Sequence, residues 1–180
     1  MSNPYISRFK KHFPAYVYTN IAACLKMNQG IGATILICCA IDTLSSYASA
    51  NPSVRNNKAR FIDFVSKYFP TNYDPEQFYK FVRCGLVHSF NMENQYYLLC
   101  SNKPSAQELH LTKPKGYHRK IVNPYSLFRH LKRAHKKLVE DLENDINLKK
   151  VFSSVYSKKP ICKQSVKPRT LLKRLDKLKI

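Results

Sequence analysis

The stretch Phe78-Tyr79-Lys80-Phe81-Val82-Arg83-Cys84-Gly85-Leu86-Val87-His88-Ser89-Phe90 decides how this chain is read. Its apolar residues recur at helical spacing, with Phe78, Phe81, Val82 and Gly85 as the face turned toward a core. Just upstream, Asp74-Pro75-Glu76 supplies an N-cap followed by proline at the first helical position. Set into this amphipathic helix are one arginine, Arg83, and one histidine, His88, with four residues between them. Both residue types hydrogen-bond phosphate, and an imidazole also moves a proton near neutral pH. On an ideal α-helix, residues five apart stand about 140° around the axis. The two would then miss each other unless Gly85 loosens the turn or the helix ends before His88.

Working outward, most of the chain carries helical periodicity. Residues 1–14, with Pro4 and Pro14, read as a lead-in. Ala15 to Gln29 is predicted as a helix, striped by Val17, Ile21, Ala22 and Leu25 and closed by Gly30. Ile31 to Ala50 is apolar almost throughout, with Asp42 as its only charge, and is expected to be a central helix buried on most sides. Pro52 marks a loop over Asn51 to Asn57, and a third helix is expected from Lys58 to Phe69. Past Phe90 the pattern turns β-prone. Tyr96 to Cys100 and Glu108 to Leu111 suggest a small hairpin insertion over about 96–111, followed by a basic loop from Thr112 to Lys120. Asn123-Pro124 then starts one long helix to about Tyr156, striped by Phe128, Leu131, Leu138, Leu142, Ile146, Phe152 and Val155. The expectation is an all-α fold of four to five helices over residues 1–156, with that small β-hairpin insertion. Residues 157–180 form a basic tail. Leu171, Leu172, Leu175 and Leu178 give it helical spacing, suited to nucleic acid, a partner, a membrane surface or the domain itself.

Composition narrows the partner. The chain has 31 Lys and Arg against 11 Asp and Glu, a formal charge of +20. Residues 1–100 hold ten basic and five acidic residues, and residues 101–180 hold twenty-one and six, so the excess lies in the second half. Such a charge calls for a polyanion, nucleic acid first and an anionic membrane surface second; the plain alternative is a solvated basic surface. Lys115, Arg119 and Lys120 in the loop, with Arg129, Lys132, Arg133, Lys136 and Lys137 in the long helix, are the candidate nucleic-acid contacts. Six cysteines show no CxxC pair and no zinc-site spacing, so neither metal nor cofactor is expected. There is no glycine-rich phosphate loop and no HExxH. A Cys84–His88 hydrolase would lack an orienting acid and oxyanion donors. No signal peptide is evident at Met1, and Asp42 interrupts the longest apolar run, so the expected setting is reduced and cytoplasmic, without an integral membrane segment.

The helical setting, the Ile41-Asp42 pair and Arg83-Cys84-Gly85-Leu86-Val87-His88 together resemble a HEPN (higher eukaryotes and prokaryotes nucleotide-binding) domain, whose mark is Arg, four to six residues, then His. The resemblance covers roughly residues 15–155, but its specific part is this one hexapeptide. It implies an all-α up-and-down bundle, a homodimer and metal-independent endoribonuclease activity on RNA, with Arg83 and His88 as the site residues. Because their helical spacing sets the two apart, one chain is not expected to be enough, and two copies across a two-fold axis would join them in a composite site at the homodimer interface. It also implies a toxin-like or defence setting with an antitoxin or other regulatory partner. Active members often carry Asn, Asp or His directly after the arginine, where this chain has Cys84. A non-catalytic dimerisation or nucleic-acid-binding module is the alternative. In it, Arg83 pairs with a buried acid such as Asp42, and His88 caps its helix.

Overall fold

A computed structural model describes residues 3–49, 56–161 and 168–178. Asn3 caps the first helix, α1 (Pro4–Phe13), its side chain accepting from the backbone N–H of Tyr5 at 2.9 Å. Residues 4–13 are therefore helix, not a lead-in. Ile6, Phe9 and Phe13 drive this, falling on one face and burying fully. Pro14 does not stop the chain. A π-helical segment, Pro14–Tyr18, absorbs it, and α2 (Thr19–Lys26) continues beyond.

The central helix is α3 (Gly30–Ala48), which contacts α2, α4 (Asn57–Tyr68), α8 (Pro124–Asn144) and α9 (Ile146–Lys158). Ala33, Ile37, Cys38, Ile41 and Leu44 are buried, but Ile31 and Cys39 are exposed, so its burial is less complete than its composition suggests. Length and composition alone would let α3 cross a bilayer; here half of it is buried among the other helices. The loop expected around Pro52 lies mostly outside the described residues.

The helix carrying Arg83 and His88 is composite. It runs through α5 (Pro75–Gln77), a π-helical segment Phe78–Cys84, and α6 (Gly85–Ser89). Asp74 caps it, accepting from the Gln77 N–H at 3.0 Å. Phe78, Val82, Gly85 and Leu86 form its buried face, with Phe78 stacked on Phe61 of α4.

No hairpin follows. Strand β1 (Tyr96–Leu98) pairs in parallel with β2 (Lys120–Val122), in the register Tyr96↔Lys120 and Leu98↔Val122. The segment between them holds α7 (Pro104–Glu108), and His110 makes an isolated parallel bridge to Ile121. A parallel pair requires such a crossover, and β2 begins at Lys120, the last residue of the stretch expected to be a basic loop.

The long C-terminal helix is two helices. Asp145 ends α8 and caps α9, accepting from the N–H groups of Asn147 and Leu148. The break leaves Ile146 66% exposed, although its spacing suggested a core position. Within the tail, α10 (Pro168–Leu178) folds back on the domain. Leu171 is buried against Ala15 and Tyr16, and Leu175 and Leu178 pack on the main core.

Candidate active site

Arg83 sits at the C-terminal end of the π-helical segment and His88 near the end of α6. The Gly85 N–H bonds back to the Lys80 carbonyl, a bond spanning five residues in place of four. Arg83 Nη1 lies 3.2 Å from His88 Nε2 within a single chain. The two side chains therefore meet without a second copy of the chain, contrary to the expectation that one chain is not enough. Between them, Gly85 admits a close approach of the chain, since a β-carbon there would collide with the carbonyl oxygen of Asn91 in the segment that turns back over the helix end. Phe90 reverses the chain with left-handed backbone, φ 52°.

Arg83 is oriented from below. Its Nε and Nη2 donate to Asp42 Oδ2 at 3.1 and 2.9 Å, linking it to central helix α3. The pair is largely screened from water, with side chains 15% and 26% exposed. Asp42 Oδ1 is buried with no hydrogen-bond partner. Burial holds the Asp42 carboxyl above the usual carboxylate range, even against the opposing hydrogen bonds and charge of Arg83 and the charge of Arg60. The Tyr79 ring lies 5.5 Å from the guanidinium, and Cys84 Sγ lies 3.9 Å from Nη1. His88 is exposed. Arginine has no acceptor, so the His88 Nε2 facing it presents a lone pair. The arrangement thus places a proton acceptor and a fixed positive charge side by side at the surface. Two nitrogens of the guanidinium are tied to Asp42, and Nη1 points to the histidine.

The five basic candidates of α8 fall in one stripe. Arg129, Lys132, Arg133, Lys136 and Lys137 follow the i, i+3, i+4, i+7, i+8 spacing of a single helix face. Arg129, Arg133, Lys136 and Lys137 are exposed. Lys132 is half-buried over the Phe128 ring at 4.5 Å, and burial followed by the charge of Arg129 lowers its pKa. Lys136 also approaches Glu140 at 3.9 Å. The other three candidates lie around the parallel strands: Lys115 exposed in the loop, Lys120 in β2, and Arg119 stacked over Tyr97 at 4.6 Å. Among the described residues, no group of three or more His, Cys, Asp or Glu side chains is placed to hold a metal ion.

One polar cluster was not legible in the sequence. Tyr73 Oη is 2.7 Å from His110 Nε2 and 3.0 Å from His130 Nδ1, while His110 Nδ1 accepts from the Asn123 N–H at 3.0 Å. That last bond sets the chain's direction: His110 Nε2–H donates to Tyr73, and the Tyr73 hydroxyl donates to His130. Burial, then His130 and Arg129, push His110 down to about 3. Burial, then Arg129 and Arg133, push His130 down to about 4. The three residues come from a turn, the crossover and α8, so no local spacing announces them.

No family model, no curated protein and no solved structure matches this chain.

Proposed function

We propose that this protein is a HEPN-like, RNA-binding, metal-independent endoribonuclease in which Arg83 and His88 carry the chemistry. The observation that supports this most is the 3.2 Å approach of His88 Nε2 to an Arg83 that Asp42 already holds in place. In the proposed reaction one imidazole takes the proton of a ribose 2′-hydroxyl as its oxygen attacks the adjacent phosphorus. Arg83 stabilises the charge that builds on the phosphorane oxygens. The P–O5′ bond breaks, the 5′-oxygen takes up a proton, and a 2′,3′-cyclic phosphate remains.

One chain supplies one imidazole and one guanidinium. A two-fold homodimer juxtaposing the two α6 ends would add a second His88 to protonate the leaving oxygen. Dimerisation is thus proposed for the acid–base pair, not to bring arginine to histidine. The α8 stripe and the loop around Lys115, Arg119 and Lys120 are the proposed phosphate contacts. This reading places the protein in the cytoplasm, with an antitoxin or other regulatory protein as a further partner.

A specific observation favours the second reading, a non-catalytic HEPN-type module. Arg83 spends two nitrogens on Asp42, and Cys84 occupies the position after it. Mixed RNA incubated with the protein in excess EDTA separates the two. Cleavage that drops about 10²- to 10⁴-fold in His88→Ala, and comparably in Arg83→Ala, supports the nuclease. Salt-sensitive RNA binding without cleavage supports the module. Cleavage undiminished in both variants rejects the site.

A further inference from the structure

Beside β1 two tyrosines stand out in water. Strand alternation turns Tyr96 into the core and Tyr97 outward, leaving Tyr97 44% exposed. Tyr117 is 52% exposed and is held by a tight turn, its N–H bonded to the Pro114 carbonyl at 3.0 Å with Gly116 at φ +85°. A positive φ at that turn position suits glycine, so the turn and the placement of Tyr117 are set together. The rings meet edge to face at 6.2 Å, and the Arg119 guanidinium covers one side of Tyr97 at 4.6 Å. The loop from Thr112 to Lys120 carries four Lys and Arg and no acid.

We infer that Tyr97, Tyr117 and Arg119 form a base-stacking platform for single-stranded RNA. This rests on the RNA reading of the protein and adds the class of RNA it takes. Unpaired bases present π-faces that aromatic rings and guanidinium planes stack upon, while a duplex keeps its bases stacked internally. Rings exposed to this extent, one in the cationic loop and one beside it, match the first kind of RNA and offer no stacking partner to the second. Lys113, Lys115 and Lys120 supply the charge for the flanking phosphates. The platform selects strandedness, and base identity enters only through stacking strength.

The test measures binding of an unstructured 2′-O-methyl RNA oligomer, which lacks the 2′-hydroxyl nucleophile, beside a duplex of the same sequence. Tyr97→Ala and Tyr117→Ala are each expected to weaken single-strand binding about five- to a hundred-fold. Duplex binding should stay within twofold of wild type. Tyr97→Phe and Tyr117→Phe keep the ring face and should bind as wild type does, which separates stacking from any loss of fold. The chain contains no tryptophan, so Tyr97→Trp gives a single reporter whose fluorescence should quench on adding the single strand. Ala variants that bind the single strand as tightly as wild type overturn the platform and leave the RNA reading standing. Equal losses for single strand and duplex overturn it as well. Wild type that binds neither oligomer overturns the RNA reading, and the platform with it.

Discussion

Arg83 holds Asp42 and His88 at once: Nη2 reaches Asp42 Oδ2 at 2.9 Å while Nη1 stands 3.2 Å from His88 Nε2. One guanidinium fork therefore ties central helix α3 to the exposed end of α6. Removing the carboxylate leaves the arginine charged and poorly oriented. Asp42→Ala is expected to lower unfolding free energy by about 1–3 kcal/mol, measured in denaturant. Where RNA is cleaved, misplacing the guanidinium should slow cleavage about a hundredfold. Asp42→Asn, which keeps an acceptor but no charge, should fall between the two. Unchanged stability and rate in Asp42→Ala would show that Arg83 is positioned by something else.

Gly85 gives a test of sign. Alanine exceeds glycine in a helix by about 1 kcal/mol, so propensity alone makes Gly85→Ala stabilising. The Asn91 carbonyl packed against this position reverses that, since a backbone group cannot swing aside as a side-chain tip can. Overpacking of this kind costs roughly 1–3 kcal/mol, enough to leave a net loss of stability. A raised melting temperature in Gly85→Ala would rule out the close approach. Opening the Gly85–Asn91 contact should also separate His88 from Arg83, read as lost cleavage.

Acid should destabilise the fold well before its carboxylates titrate. His110 is held down to about 3 and His135 to about 4, each chiefly by burial. In the unfolded chain both take up a proton near pH 6.5. Between those values the unfolded state binds more protons, so their contribution is fully present above about pH 6.5 and is lost as pH falls toward 4. Each contributes up to about 1.4 kcal/mol per pH unit across that window. Denaturation midpoints recorded from pH 7 to pH 4.5 should drop steadily. A flat profile would mean that these imidazoles protonate without unfolding.

Tyr73→Phe isolates the buried relay. The ring still fills its space against Phe69 and Phe78, but His110 Nε2 and His130 Nδ1 lose their shared partner. Leaving a buried polar group unpaired costs about 1–3 kcal/mol. A melting temperature well below wild type is expected at pH 7, with the His110 Nε2–H proton showing altered exchange. A melt within a degree or so of wild type would mean the hydroxyl contributes little.

Local sequence signals carried the helical class and several boundaries. Asp74-Pro75 and Asn123-Pro124 start helices where their caps indicate, because capping depends on the residue and its immediate N–H neighbours. Phe78 and Val82 are buried as their spacing requires, and the five cations of α8 share a face for the same reason. The basic excess of +20 also belongs to the sequence outright. Local signals failed where one masked another. Pro4 and Pro14 make residues 1–14 read as a lead-in, whereas Ile6, Phe9 and Phe13 bury on one face of a helix that runs on through Pro14. Asp145 is a good cap hidden within a long periodic run, and it breaks that run.

Tertiary structure alone decided the rest. Period-two patterning marks a strand but not its partner, so β1 meets β2 in parallel across a crossover, where its neighbourhood suggested a hairpin. The Tyr73–His110–His130 relay gathers residues from three segments, and no spacing encodes it. The Arg83–His88 pair combines both levels. The sequence supplies the two side chains five positions apart. Around them, Asn91 closes over Gly85 and Asp42 holds Arg83 from α3. Those are contacts between segments, whose energies no helical periodicity contains.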